Sequence, residues 1–292
     1  MPLQKWRFTV PPEDAVLRLD QLVAKHTGLS RRQAREALSL GGVQVDRSRV
    51  KVAGKLIKPG REVTVAFDEN LGDAPMVDIP VVFEDPWLLA VNKPAGLPTQ
   101  GTWATDQHDL IAMLRRQRPD LKLYLHHRLD QPTSGLLLFS KAAEANKGLT
   151  AQFEGRDLIK LYLARISEPL DACTVDEPIG RVRHANPGRF GCSGDLIDPR
   201  PAKTDFRPAT EDETRGLAPG AWVVARLHSG RTHQIRVHLA HLGHPILGDS
   251  LYGGASNSQL WLHAWRLGLT HPVTGEAIQL EAPPLRFQEP QG

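Results

Sequence analysis

Apolar and polar positions alternate over residues 3–10, with Trp6, Phe8 and Val10 in phase, and this two-residue period predicts a strand that stops at Pro11-Pro12. From Val16 the spacing lengthens: Leu19, Leu22 and Val23 recur at helical intervals, and the run closes near Gly28. A second helix follows at once. Ser30 serves as its N-cap and Gln33, three residues on, completes a capping box, in which each side chain satisfies a backbone N–H that the helix leaves unpaired. Ala34, Ala37 and Leu38 form its apolar face, and Gly41-Gly42 ends it. Val43-Gln44-Val45 and Glu62-Val63-Thr64-Val65 alternate as short strands, with Lys58-Pro59-Gly60 as a turn. Residues 69–78 are acidic and poor in large apolar side chains, the texture of a linker.

Beyond Pro80, Val81–Asp85 and Leu88–Asn92 read as a hairpin, followed by the turn-rich loop Lys93–Pro98 and helical spacing over Asp109–Gln117. A polar stretch, Leu125-His126-His127-Arg128-Leu129-Asp130-Gln131-Pro132-Thr133-Ser134-Gly135, runs straight into the apolar Leu136–Phe139, a strand expected to be buried. A helical segment from Ala142 to Phe153 comes next. Lys160–Arg165 alternates and puts Lys160, Tyr162 and Ala164 on one face. Residues 180–201 hold many Gly, Pro and Arg without a period, which predicts a loop excursion. Trp222–Leu227 is a strand, Ser229–Leu239 turns into a helix ending near Gly243, and Trp261–Leu269 and Ala277–Leu280 supply the last strands. The whole is an α+β chain, and its 292 residues suffice for a large domain and a small one.

No apolar run approaches the roughly 20 residues that span a bilayer, and residues 1–15 lack the features of a signal peptide. A cytosolic protein without membrane contact is expected, with Cys173 and Cys192 as free thiols. The net charge of +3 says little by itself. Its distribution says more: Val16–Asp68 carries eleven basic residues against five acids, a net +6 that exceeds the charge of the entire chain. Arg31 and Arg35 stand one helical turn apart with Arg32 beside them, a cluster suited to phosphate contacts or else a solvated face.

Twelve histidines raise the question of a metal. His238, His241 and His244 are spaced by three, and His126-His127 could join them. Positions at that spacing drift round a helix by about 120° and cannot converge on one ion, and His-Glu-x-x-His and Cys-x-x-Cys are absent. The histidines read as hydrogen-bonded supports and no metal is expected. Ser134 lacks the Gly-x-Ser-x-Gly elbow of an exposed nucleophile and reads as a turn residue. Arg128-Leu129-Asp130 remains: on its residues alone it is a structural ion pair, a cap, or a carboxylate held rigidly for catalysis.

His127-Arg128-Leu129-Asp130, with Thr133-Ser134-Gly135-Leu136-Leu137 and Lys141, resembles the active-site motif of the RluA-like pseudouridine synthases of ribosomal RNA. Further blocks resemble that family in its order: Glu84-Asp85, Asn92-Lys93-Pro94-Ala95-Gly96, Lys160-Leu161-Tyr162, Gly230–His238, Gly243-His244-Pro245-Ile246 with Gly248-Asp249, and Leu262-His263-Ala264. Toward the amino terminus, Arg18-Leu19-Asp20, Ser30-Arg31 and Gly42-Val43-Gln44-Val45 resemble the alpha-L RNA-binding domain named after a ribosomal small-subunit protein.

The resemblance implies a small αα-β RNA-binding domain over residues 1–68 (core 16–68), a linker at 69–80, and a mainly antiparallel mixed-sheet catalytic domain over 81–289. It implies cofactor-free isomerisation of uridine to pseudouridine by a monomer acting on structured RNA, ribosomal RNA first and transfer RNA second. Asp130 is implied as the catalytic carboxylate, attacking the ring or sugar or removing a sugar proton. Arg236 is expected to pair with it and Tyr162 to stack on the flipped uracil. Arg128 is expected to contact RNA backbone or fill the gap left by the base, His127 to orient the loop, and Lys160 and Arg231 to contact RNA. Arg31, Arg32 and Arg35 would supply phosphate contacts from the small domain. Two rival readings stand beside this, a non-catalytic RNA assembly factor and a metal-dependent hydrolase. The chain departs from the family pattern at Leu97-Pro98-Thr99-Gln100-Gly101, where many members carry a histidine and a proline. It also departs over Arg181–Arg200, whose Arg181, Arg183, Arg189 and Arg200 would touch RNA or sit in a solvated loop.

Overall fold

The amino-terminal alternation becomes strand Gln4–Thr9, paired antiparallel with Glu62–Phe67 in a four-stranded sheet that continues through Val43–Val45 to Ser48–Arg49. The computed structural model describes residues 3–69, 71, 77–155, 157–185, 188–284 and 287. Helices Leu19–Thr27 and Arg31–Leu40 lie where the spacing predicts them, each closed by a glycine in the left-handed region. The expected capping box is present: Ser30 Oγ accepts from the Gln33 N–H at 3.2 Å, and the Ser30 N–H donates to Gln33 Oε1 at 3.0 Å. Leu19, Leu22, Val23, Ala34, Ala37 and Leu38 pack with Val43, Val63 and Val65 into one core. Strand Ser48–Arg49 was not expected. Its hairpin turns on Asp46 and Arg47, both at positive φ (45° and 68°), where Asn-Gly is the usual signal.

The chain divides into two compact units, one of residues 1–78 with 98–120, the other of 79–97 with 121–292. This differs from the expected division, which put 98–120 in the catalytic domain. The hydrogen bonds explain the difference: the Arg49 guanidinium donates to the carbonyls of Gly41 and Thr102, the Asp106 N–H to Leu40 O at 3.1 Å, and Gln107 Nε2 to Ser39 O at 2.7 Å. Helix Leu110–Gln117, capped by Asp109, belongs to this first unit. Half of the expected linker, residues 70 and 72–76, lies outside the described residues.

The second unit is built on a sheet with ten strands among the described residues, mainly antiparallel. Its order is Cys173–Asp176, Lys203–Pro208, Ala221–Leu227, Ile159–Ile166, Leu262–Thr270, Ser134–Ser140, Leu88–Lys93, Val81–Glu84. Ala277–Glu281 pairs with Leu262–Thr270, and Tyr124–Leu125 with Ser134–Ser140. The one parallel pairing among the described residues, Ser134–Ser140 beside Leu262–Thr270, makes the sheet mixed. Every residue of Ser134–Ser140 is buried, as its apolar run predicts. Helices Ala143–Gly155 and Gln234–His241 complete the unit's longer elements.

The expected loop excursion at 180–201 is instead a small sheet, Phe190–Gly191, Ile179–Val182 and Leu196–Arg200. Its strands are too short to show a period among Gly, Pro and Arg, yet Ile179 is buried in a cluster with Ala202, Val237 and Tyr252. Residues 186 and 187 of that stretch, and 285–286 and 288–289 of the expected catalytic domain, lie outside the described residues. Among the described residues no helix is long and apolar enough to cross a membrane.

Candidate active site

Asp130 sits in the turn that feeds strand Ser134–Ser140, where its own carbonyl accepts from the Thr133 N–H at 3.1 Å. The turn is tied down by a buried lysine. Lys93 Nζ, fully enclosed, donates to the carbonyls of Leu97 at 2.7 Å, Pro94 at 2.9 Å and Gln131 at 3.3 Å. Gln131 and Gly96 exchange hydrogen bonds as well, N–H to carbonyl at 2.9 Å and side-chain amide to carbonyl at 3.1 Å. The Asn92-Lys93-Pro94-Ala95-Gly96 block therefore acts as a brace for the Asp130 loop, since a buried ammonium holds its place only when carbonyls replace its lost water.

The sheet places Tyr162 near Asp130. Gly135 pairs with Ala264 on the parallel strand, and Ala264 pairs with Tyr162 on its other side. Gly135 has φ 115°, and a Cβ there would lie 2.2 Å from the Ala264 carbonyl oxygen, so only glycine permits this approach. Tyr162 is half-buried, and its hydroxyl is pushed up, first by burial and then by the Asp130 charge, so it stays protonated at neutral pH.

His127 supports the loop: its Nε2 accepts the Leu138 N–H at 3.1 Å and its ring stacks on Phe153 at 4.9 Å. Burial, with the Lys160 charge adding, pushes its pKa down to about 3, so it is neutral in the folded protein. Ser134 is the first residue of a strand, not a turn residue. Its Oγ is 2.8 Å from His263 Nδ1, while His263 Nε2 is 2.9 Å from the Ala282 carbonyl. Only an Nε2–H can serve that carbonyl, so Nδ1 accepts from the serine hydroxyl. His238 follows the same logic, with Nε2 on the Glu177 carbonyl and Nδ1 on Thr204 Oγ1. Among the described residues no group of three or more His, Cys, Asp or Glu side chains is placed to hold a metal ion.

Arg236, on helix Gln234–His241, brings its Nη1 to 3.6 Å from Asp130 Oδ2, and its side chain is only 7% exposed. Its stronger partner is Asp249, bound through Nε at 2.7 Å and Nη2 at 2.8 Å. Burial alone would push the guanidinium down; the bonds and charge of Asp249, with Asp130 adding, hold it above its ordinary value. Asp130, Tyr162 and Arg236 line one cleft of about 620 Å³ together with His127, Arg128, Lys160, Arg231 and His233. Arg128 is exposed there, and Arg231 Nε donates to the Pro201 carbonyl at 3.0 Å.

Arg31, Arg32 and Arg35 belong to the first unit and are exposed. Arg35 Nε lies 2.8 Å and Arg31 Nη2 3.3 Å from Oδ2 of Asp20, whose side chain is fully buried, and Arg18 Nε lies 3.4 Å from its Oδ1. Burial opposes ionisation of Asp20, but these arginines outweigh it and hold its carboxyl below the ordinary range. The cluster is thus anchored from beneath, which the charge pattern did not reveal. Sequence reasoning also assigned no role to Lys93, His233, Asp249 or Tyr252. Lys93, His233 and Asp249 were marked only by membership in blocks resembling the synthase family, and Tyr252 by nothing in the sequence.

The RNA pseudouridylate synthase family profile matches residues 87–241, and the S4 domain profile matches residues 17–63. The chain is 32% identical over 300 residues to the ribosomal large subunit pseudouridine synthase D of Nitrosomonas europaea, covering 94% of this chain and 83% of that protein. It is 35% identical over 222 residues to the tRNA pseudouridine synthase C of Salmonella typhi, covering 69% of this chain and 84% of that one. Among solved structures, human RNA pseudouridylate synthase domain containing 1 aligns with a TM-score of 0.60 at 27% identity, over 73% of this chain and 86% of that one. The chain therefore belongs to the RNA pseudouridylate synthase family. It is an RNA pseudouridine synthase, an isomerase, with an S4 domain ahead of its catalytic sheet.

Proposed function

We propose that this synthase isomerises a uridine of large-subunit ribosomal RNA, with Asp130 as the catalytic carboxylate. The observation that carries the reading is a carboxylate, 25% exposed, in a cleft it shares with a half-buried tyrosine ring and an arginine that another acid already holds in place. The reaction breaks the bond between uracil N1 and the ribose and rejoins the base through C5. N1 gains a proton as C5 loses one, so no co-reactant is required. Asp130 acts either as a nucleophile toward ring or sugar or as a base toward a sugar proton. Arg236, with Nη1 3.6 Å from Oδ2, orients the carboxylate toward the cleft. Tyr162 offers its ring to the flipped uracil, where stacking contributes about 1–3 kcal/mol per base against an unpairing cost of a few kcal/mol.

Ribosomal RNA is favoured because the relative matched over 94% of the chain carries that name, whereas the transfer-RNA relative matches over 69%. Mapping pseudouridines in total RNA from cells with and without the gene, then restoring wild type or Asp130→Asn, tests both parts. Sites lost from large-subunit RNA should return with wild type alone. Loss confined to transfer RNA would reassign the substrate, and restoration by Asp130→Asn would remove Asp130 from the chemistry.

A further inference from the structure

A chain of hydrogen bonds in the second unit leads to His233, whose ring faces the proposed catalytic carboxylate. It begins at the backbone N–H of Phe190, in the three-stranded sheet, which donates to the Tyr252 hydroxyl oxygen at 3.2 Å. That oxygen is 2.8 Å from His233 Nδ1. The hydroxyl hydrogen has no other hydrogen-bond acceptor among the described residues, so with Phe190 supplying one donor the satisfied arrangement has Tyr252 donating to Nδ1. Neutral His233 then carries its proton on Nε2, and Nε2 faces Asp130 Oδ2 at 3.9 Å.

The imidazole is held firmly. Phe190 and Tyr252 meet its ring edge-on at 5.7 and 5.6 Å, and the His233 backbone sits at φ 59°, a left-handed conformation that a non-glycine residue adopts only where its surroundings enforce it. The charged and titratable groups facing it are Asp130, Arg236, Asp249 and Tyr252. Burial pushes its pKa down and Arg236 adds to this, against the attraction of the two carboxylates. Arg236 Nη1 approaches the same Asp130 oxygen, at 3.6 Å. Two donors thus converge on Oδ2 from just beyond hydrogen-bonding range, and a side-chain movement of roughly 1 Å brings both within it.

We infer that His233 is a positioning residue of the reaction: a neutral Nε2–H donor whose tautomer is set by Tyr252 and the Phe190 backbone, and which with Arg236 fixes Oδ2 of Asp130 so that Oδ1 meets the substrate. This rests on the reading of Asp130 as the reactive carboxylate. No proton leaves His233; it orients and stabilises the carboxylate on either chemical route.

The test joins a spectrum to a rate. In ¹⁵N NMR of the full chain, His233 should show an unprotonated Nδ1 and a protonated Nε2 at neutral pH, and Tyr252→Phe should convert this to a tautomer mixture. Single-turnover release of tritium is measured on bulk RNA labelled at uridine C5 and taken from cells lacking the gene. It should slow about tenfold in Tyr252→Phe and more in His233→Ala, the scale of one hydrogen bond to a charged group, with RNA affinity held. A proton on Nδ1 in the wild type, or wild-type release by Tyr252→Phe, overturns the inference. Asp130→Asn run alongside separates the two readings. If it is inactive while Tyr252→Phe is unimpaired, only the role of His233 falls; if it turns over normally, the Asp130 assignment falls and takes that role with it.

Discussion

The two units each gather arginine and aspartate, in opposite proportions. In the first, three arginines with side chains 49–54% exposed surround the single, fully buried carboxylate of Asp20. In the second, one arginine, 7% exposed, stands between two carboxylates, the buried Asp249 and the accessible Asp130. An excess of cation over a buried anchor leaves positive charge for a polyanion. An excess of anion around a buried cation leaves one carboxylate approached by that cation but not hydrogen-bonded to it. The same ion pair, with its stoichiometry inverted, underlies the proposed binding surface in one place and the proposed reaction centre in the other.

The contrast is broken most sharply at Asp249. Asp249→Ala would strand a buried guanidinium, and unfolding in urea should show a loss of about 3–5 kcal/mol together with loss of tritium release. Unchanged stability would mean that Arg236 needs no anchor. Acid should distinguish the regions next. His263 is 1% exposed and its pKa is pushed down to about 4 by burial, so its contribution is complete above the ordinary value of 6.5 and is lost as pH falls toward 4. Asp20 is shifted below 3.8 and holds its contribution until pH falls through the carboxylate range. Between pH 7 and 5 the wild type should therefore lose about 2 kcal/mol more stability than His263→Gln; equal losses in urea melts would contradict this.

Asp20→Asn should cost less than Asp249→Ala, about 1–2 kcal/mol, because its arginines can turn to water. A urea melt that ranks the two substitutions the other way would undo the comparison. The smallest effect is expected at the surface. Arg31→Ala or Arg35→Ala should weaken RNA binding severalfold, evenly across sequences, and flatten the slope of log affinity against log salt by roughly 1 each. An unaltered slope would assign these arginines to structure alone.

What could be read from the sequence follows from range. The capping box at Ser30 and Gln33, the helix stops at Gly28 and Gly41, and the apolar run into Phe139 are local signals, and each forms as expected. The hairpin turn at Asp46-Arg47 escaped because Arg47 holds a positive φ at the position where glycine is the usual signal. Strands such as Phe190–Gly191 are shorter than any period. Residues 98–120 join the first unit through hydrogen bonds from Asp106 and Gln107 to the carbonyls of Leu40 and Ser39 and from Arg49 to the carbonyl of Thr102, which no spacing announces. At the site, Asp130 stood out by its neighbours, whereas Arg236, 106 positions away, came from resemblance alone. Asp249 and Tyr252 acquire meaning only once the chain brings them to Arg236 and His233.

Gly135 bears on what variation the enzyme can accept. The strand carrying the Asp130 loop and the strand carrying Tyr162 are kept in step through Ala264, and the approach on one side is so close that a single methyl would overlap a carbonyl at 2.2 Å. Position 135 is a spacer of zero thickness. Any replacement has to push these strands apart, so the proposed carboxylate and stacking ring cannot be retuned from within the sheet. On the proposed reading, adaptation to a different RNA falls to parts that can change without moving that spacing, such as the exposed arginines of the S4 domain.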